Sequence, residues 1–397
     1  MAAILPTLLL CNLTKAQCDG RYENEIFVNT EKTTVTYSDV YDWSPSEMGL
    51  DMDIYQAVGD TFSNRPLLIF AHGGAYVGGD KNNLAMTTLC KSFAKRGYVT
   101  ASIRYRLTSL TSFALPNAEE ILIQTMINSM SDMKAAIRFF RKDFDENGNS
   151  YKINPNLIFV GGYSAGAITA LHVSSLDDDE IPQDLVSYFE NVGGIDGNSG
   201  NEGYSSSVSG AIILAGAIKD LSFLDENDVP VVSIHGTSDM IVNYNCGSVY
   251  QNNQFPVMCG AGEVHPVLDA ISIYNDVFTI NNGNHDAPIL NMNQTYIPFI
   301  SDFLLELVCN QTNEVELFIE QTLNVSPNPT DGVITLELPE GVESVRLYNQ
   351  LGQLVLSFVT THSKNSLDIS HLPRGMYQLV VFSQKNDRFI QEKVFKQ

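Results

Sequence analysis

Positive charge is scarce in this sequence. Its 397 residues hold 23 Lys and Arg against 46 Asp and Glu, a formal net charge of −23. That balance excludes nucleic acid as a partner, since phosphates would be repelled rather than neutralised. Long apolar runs are missing as well. The stretch Ile4–Leu10, interrupted by Pro6 and Thr7, falls well short of the about 20 residues a spanning helix needs, so no membrane span is expected. Cysteine is sparse, at six residues. Hydrophobic content of 44% and aromatic content of 10% are ordinary; a chain of this make-up can bury a sizeable core, and disorder is not expected.

The first sixteen residues read as a secretory signal peptide, with a short apolar core and Thr14-Lys15-Ala16 before Gln17. The usual basic n-region is missing. Cys11 raises a lipoprotein reading, but the residues after it do not favour one, and cleavage near Ala16 would remove it. Five cysteines then remain: Cys18, Cys90, Cys246, Cys259 and Cys309. Export favours disulfides. Cys246 and Cys259 close a short polar loop and are expected to pair, a bridge worth about 3 kcal/mol by the chain-entropy model. Cys18 with Cys90 is the second expected bridge, leaving Cys309 free. An odd count leaves at least one thiol unpaired within the chain.

From about residue 33 to 309, strand-like segments alternate with helical ones. Leu67–Ala71, Val99–Ile103, Leu157–Val160, Ala211–Leu214, Val231–Ile234 and Val277–Ile280 are short apolar runs of the buried-strand type. Thr33–Tyr37 and Met52–Tyr55 alternate. Leu84–Lys95, Pro116–Phe140, Ala167–Ser174 and Ile297–Val308 carry helical patterns. In the second of these, Met126, Met130, Met133, Ile137 and Phe140 form a stripe that reads as core. The expected fold is α/β, a mostly parallel sheet with helices on both faces. Residues 175–209 break the rhythm with a polar insertion, read as a surface loop in preference to a partial cap over the site. After Cys309 the pattern changes to short alternating segments divided by turns, which reads as a small β-sandwich over 323–397. The expected division is a leader at 1–16, an α/β domain at 17–313, a linker at 314–322 and the sandwich.

Four segments carry chemistry. Gly162-Tyr163-Ser164-Ala165-Gly166 follows an apolar strand and precedes a helix, the context a G-x-S-x-G nucleophile requires. The flanking glycines are expected to permit the tight bend. His72-Gly73-Gly74-Ala75 follows the strand Leu67–Ala71; the Gly73 and Gly74 amides, with that of Ala165, would form an oxyanion hole. His72 is expected to brace this loop. His235-Gly236-Thr237-Ser238-Asp239 ends the strand Val231–Ile234 and offers Asp239 as the acid, with Asp228 and Glu263 as fallbacks. Asn282-Gly283-Asn284-His285 follows the strand Val277–Ile280 and offers His285 as the base. His265 competes but is followed by Pro266, and His172 should point away from the reaction. His235 reads as a packed strand-end residue, and His362 and His371 as surface residues. The order Ser164, Asp239, His285 is the one a hydrolase elbow uses. Such a triad needs no metal or organic cofactor.

Taken together, HGGA, GYSAG, GTSD and GNH resemble the carboxylesterase and lipase branch of the α/β-hydrolases, especially hormone-sensitive-lipase-like enzymes with an HGG oxyanion loop. The resemblance covers about residues 30–309 and implies an ester as substrate, small or polymeric. Two departures are Ala75 at the fourth position of HGGG and a short N-terminal cap. Ser326-Pro327-Asn328-Pro329, Leu347-Tyr348-Asn349-Gln350-Leu351-Gly352 and Leu372-Pro373-Arg374-Gly375-Met376-Tyr377 resemble a type IX secretion C-terminal sorting domain. That resemblance implies export by the type IX machinery of a Gram-negative bacterium, to the extracellular space or cell surface. Plant-derived esters and polyesters are then among the candidate substrates. A peptidase on the same fold and a non-catalytic binding protein are the rival readings. Asp143–Asn149 matches the first half of a calcium loop, but Asn154 stands where the closing acid is expected, and an ordinary polar loop is the preferred reading.

Overall fold

The structure, a computed structural model, describes residues 18, 20–40, 49–309, 324–338, 342–349, 354–359, 364–383 and 389–396. The expected leader, Cys11, the linker and His362 lie outside these residues. The chain divides into two compact units between Cys309 and Asn310.

The first unit is built on eight strands: β1 (Thr30–Ser38), β2 (Leu50–Ala57), β3 (Arg65–Ala71), β4 (Val99–Ile103), β5 (Ile153–Tyr163), β6 (Gly210–Leu214), β7 (Val231–Gly236) and β8 (Asn275–Ile280). Their order in the sheet is β1-β2-β4-β3-β5-β6-β7-β8. β1 and β2 are antiparallel to their neighbours, and β3 to β8 run parallel. Seven helices accompany them: α1 (Leu84–Lys95), α2 (Ala118–Glu146), α3 (Ala165–Ser175), α4 (Val186–Asn191), α5 (Ala261–Ala270), α6 (Ala287–Leu290) and α7 (Ile297–Cys309).

The apolar runs become central strands because both faces of the sheet are covered. Along β3, Leu67, Ile69 and Ala71 join the core beneath α2 and α3, while Leu68 and Phe70 join the one beneath α1 and α7. Period-two alternation puts successive side chains on opposite faces, so a strand buried on both sides must be apolar throughout. The five residues of the Met126–Phe140 stripe are all buried.

The flank of α2 beside this stripe has a second role. Lys134 donates to the Ile195 carbonyl at 2.8 Å, Arg138 to the Asp196 and Gly200 carbonyls at 2.5 and 3.0 Å, and Arg141 to that of Ser205 at 2.7 Å. These cations fasten the Gly/Ser/Asn-rich part of the insertion to the helix. The insertion is thus an ordered layer, with α4 in its first half. α2 also runs through Asp143–Glu146, so the calcium-like segment begins on a helix and is not the loop expected.

Cys246 is bonded to Cys259, directly opposite it in a three-stranded ladder of Ala217–Ile218, Cys246–Ser248 and Val257–Gly260. The expected Cys18–Cys90 bridge is not formed. Cys18 pairs with Cys309, and Cys90 is a buried free thiol packed under α1. α1 turns Cys90 inward with Met86, Leu89 and Phe93, and that burial removes it from reach.

The second unit holds β9 (Asn324–Ser326), β10 (Val333–Glu337), β11 (Val342–Tyr348), β12 (Leu354–Val359), β13 (Lys364–Asp368), β14 (Gly375–Ser383) and β15 (Phe389–Lys396). They form antiparallel sheets of order β9-β10-β13 and β12-β11-β14-β15 around a core that includes Ile334, Val345, Leu347, Ile369 and Leu379. His371 is exposed.

Candidate active site

Register brings the candidate residues together at the carboxyl ends of the parallel strands. Ala71 lies beside Gly162, Tyr163 beside Leu214, and Gly236 beside Ile280. Open α/β sheets bind ligands at this end.

Ser164 joins β5 to α3 at φ 55°, ψ −120°, a conformation costly for any residue but glycine. Gly162 and Gly166 permit the bend as expected, through their missing side chains: a Cβ on Gly162 would stand 2.5 Å from the Gly166 carbonyl carbon. Neither has positive φ. A Cβ on Gly162 would come within 2.6 Å of the Ala71 carbonyl oxygen, and one on Gly166 within 2.1 Å. The serine therefore holds the strained angle, while its glycines let the elbow lie against the end of β3.

The loop after β3 packs on the elbow. A Cβ on Gly73 would stand 3.2 Å from that of Ser164, and Gly74, at φ +131°, leaves no room before the Gly78 carbonyl. The His72 ring stacks on Tyr105 at 4.5 Å, and Tyr105 donates to the His72 carbonyl at 2.7 Å. Tyr76 donates to the Ala165 carbonyl at 2.9 Å and so ties this loop to α3. Among the described residues, the Gly73, Gly74 and Ala165 amides make no backbone hydrogen bond.

Ser164, Asp239 and His285 meet in a buried row, exposed by 7%, 5% and 8%. His285 Nδ1 lies 2.7 Å from Asp239 Oδ2, and Nε2 lies 2.8 Å from Ser164 Oγ. The carboxylate can only accept, so Nδ1 carries the proton and Nε2 accepts from the serine hydroxyl. Asp239 Oδ1 accepts the Ile241 and Val242 amides at 2.8 and 3.0 Å. Burial raises the Asp239 pKa, yet hydrogen bonds from His235 and His285 outweigh it and hold the carboxyl well below the usual range. The loops that carry Asp239 and His285 are fastened to each other: the Ser238 amide donates to the Gly283 carbonyl at 2.9 Å, and the Asn282 amide to Thr237 Oγ1 at 2.8 Å.

The other candidates stand apart from this row. The Asp228 carboxylate caps the Asp225 amide, Glu263 lies in the first turn of α5, and His265 bonds to Asn275. His172 is fully buried between the Ile168 carbonyl and the Lys219 amide. Two contacts were not foreseen from the sequence. His235 approaches the acid itself, at 3.2 Å from Asp239 Oδ2. Tyr163 donates to Asp286 at 2.6 Å, linking the elbow to the base loop; the signal available was a tyrosine beside the nucleophile and an acid beside the base. A hollow of about 730 Å³ lies along α2, α3 and α4, with Met126, His172, Leu185 and Phe223 in its wall, and the row does not line it.

This sheet order, with a strained serine between β5 and α3, defines an α/β-hydrolase. Residues 52–193 match the BD-FAE family model, and residues 324–397 match that of the secretion system C-terminal sorting domain. The first unit is thus similar to the BD-FAE family over part of its length, and the second to secretion system C-terminal sorting domains. Gut esterase 1 of Caenorhabditis elegans is 29% identical over 102 residues, covering 26% of this chain; the match spans 17% of that relative's length. Among solved structures, a thermophilic esterase of the planctomycete Thermogutta terrifontis is 16% identical over 72% of this chain and 94% of its own, with a TM-score of 0.46. A truncated carbohydrate esterase from gut microbiota is 18% identical over 71% of this chain and 97% of its own, with a TM-score of 0.49. No helix of the described residues is long and apolar enough to cross a membrane.

Proposed function

We propose that the protein is an exported serine carboxylic-ester hydrolase with Ser164 as nucleophile, His285 as base and Asp239 as acid. The observation that carries the reading is the unbroken run of contacts from Ser164 Oγ through His285 to Asp239 Oδ2, at 2.8 and 2.7 Å. His285 Nε2 takes the hydroxyl proton as Ser164 Oγ bonds to the ester carbonyl carbon. The oxyanion meets the Gly73, Gly74 and Ala165 amides, each such donor lowering the barrier by about 2.7–4 kcal/mol. Collapse breaks the bond to the alcohol oxygen, which leaves with the proton from His285. Water then gives a proton to His285 and its oxygen bonds to the acyl carbon. Ser164 recovers its proton as the acid departs.

The address is part of the proposal. A leader at 1–16 directs the chain out of the cytoplasm of a Gram-negative bacterium, and the domain at 323–397 engages the type IX machinery. The substrate is then an ester met outside the cell, with polymeric and plant-derived esters as the first class to try.

Hydrolysis of p-nitrophenyl butyrate by the full chain and its Ser164→Ala variant tests the reading. We expect kcat to fall by about 10³-fold or more in the variant. Unchanged hydrolysis would refute the assignment. Faster turnover of peptide anilides than of esters would replace it with a peptidase.

A further inference from the structure

His235 is buried at 1% exposure near the end of β7, and both of its ring nitrogens are engaged. The Ala261 amide points at Nδ1 from 3.4 Å. An amide only donates, so Nδ1 accepts and the proton sits on Nε2. That Nε2–H faces two acceptors, Asp239 Oδ2 at 3.2 Å and the Val242 carbonyl at 3.0 Å. Two imidazoles therefore donate to one carboxylate oxygen, since His285 Nδ1–H meets the same Oδ2 at 2.7 Å. With two amides on Oδ1, Asp239 has four donors and little freedom to turn.

The surroundings fix the ring from the other side. Ala261 opens α5, directly after the strand Val257–Gly260 that the Cys246–Cys259 bridge pins. A Cβ on Gly260 would stand 2.8 Å from His235 Cε1 and 2.1 Å from the Asn243 carbonyl, so the backbone is pressed against the imidazole there. The ionisable groups facing His235 are Asp239, Tyr244 from the loop after β7, with its ring at 5.6 Å, and His265 from α5. Across Asp239 stands His285, whose ring is 5.3 Å from that of Tyr163, itself bonded to Asp286.

We propose that His235 is a positioning residue for this site, fixing Asp239 Oδ2 so that His285 is held toward Ser164. The reacting unit is then a row of four, Ser164–His285–Asp239–His235, extended from the reading above and dependent on it. His235 touches no substrate; it acts through the acid. A histidine that only filled space at a strand end would not need its one proton shared between the carboxylate and the carbonyl of the loop that carries it. Its backbone support also joins the disulfide-pinned hairpin to the base through three contacts, Ala261–His235, His235–Asp239 and Asp239–His285.

Two substitutions separate the donor from the bulk. His235→Gln sets an amide N–H near the place of Nε2, whereas the shorter His235→Asn reaches only the place of Nδ1. Each is assayed with wild type on p-nitrophenyl acetate across pH 5–9, with turnover expressed per Ser164 labelled by a fluorophosphonate probe, so that loss of folded protein does not enter. We expect His235→Asn to lower kcat about 10–100-fold with KM within about two-fold, part of what a positioned base supplies. We expect His235→Gln to recover kcat to within about three-fold. The acid limb of kcat/KM for the Asn variant should move up by roughly half a pH unit, because a carboxylate relieved of one donor favours the protonated imidazole beside it. A wild-type kcat and pH profile in His235→Asn, or equal impairment of both variants, would overturn the proposal. Failure of the underlying reading looks different: the wild type then hydrolyses no ester, or the probe labels a residue other than Ser164.

Discussion

Two segments of this protein are rich in glycine, and their compositions say little about how differently they are used. Residues 72–79 contain four glycines and residues 193–203 five, with positive φ at several positions in each. In the first, the backbone turns back on itself and lies against the elbow, and Tyr76 and Tyr105 brace it while, among the described residues, the Gly73 and Gly74 amides make no backbone hydrogen bond. In the second, the carbonyls are taken up by Lys134 and Arg138, and a Cβ on Gly197 would stand 2.0 Å from Ser131 Oγ. One loop leaves two amides without a backbone partner; the other has carbonyls taken up by a helix. Glycine permits both geometries and specifies neither.

The contrast predicts opposite phenotypes. Gly74→Ala, at φ +131° and with the Gly78 carbonyl 2.0 Å from the new Cβ, should displace the amides and cut kcat/KM by about 10²–10³-fold. Ester kinetics at constant labelled serine would check it, and full activity in that variant would break the contrast. On the other side, Arg138→Met should leave three carbonyls without their donor and lower stability by about 2–4 kcal/mol. Its kcat per labelled serine should stay within two-fold of wild type, roughly the noise of such comparisons. Urea unfolding and kinetics on one preparation read both quantities.

A smaller effect concerns the acidic start of the insertion. Burial, then Asp225, Glu180 and Asp177, push the Asp228 carboxyl up to about 7. Its folded pKa exceeds the unfolded value, so the native state binds the extra proton between about pH 4 and 7 and stability falls as pH rises through that window. Asp228→Asn should remove that loss, stabilising the protein by about 1–2 kcal/mol at pH 8 and little at pH 4, after allowing for solvent screening. Melting curves at the two pH values give the sign. The smallest effect is at Cys90, whose thiol burial pushes up to about 12. It should resist a thiol reagent at pH 8 in the folded protein and react once unfolded, as titration in and out of guanidinium would reveal.

What was legible in the sequence is what lies close along the chain. The elbow, the His72–Ala75 loop and the two strand-end loops each sit within a few residues of a recognisable apolar strand. β1 to β8 fall where period and turn signals put them, and Leu84–Lys95 matches its helix residue for residue. Helix α5 is not legible because Pro266 lies inside it, at its sixth residue, where proline ordinarily breaks a helix. The part played by His235 was hidden for another reason. Its fixing partner, Ala261, lies across a hairpin 26 residues on, and no local pattern announces that meeting. The bond between Cys18 and Cys309 spans 291 residues, and a count of cysteines cannot supply such a pairing. The apolar stripe of α2 dominates its pattern, and the cations on the neighbouring flank, which order the insertion, carry no local signal of their own.

That Cys18–Cys309 bond has a mechanical meaning. It lies where the chain enters the first unit and where α7 leaves it, with Ser301 of α7 also donating to the Tyr22 carbonyl at 2.7 Å. A pull applied between a point before Cys18 and a point after Cys309 runs through two sulfur atoms and bypasses the sheet. The hydrogen-bond ladders of β1 to β8 then bear none of the tension. A unit handled by its two ends is stretched like a closed ring gripped at the clasp.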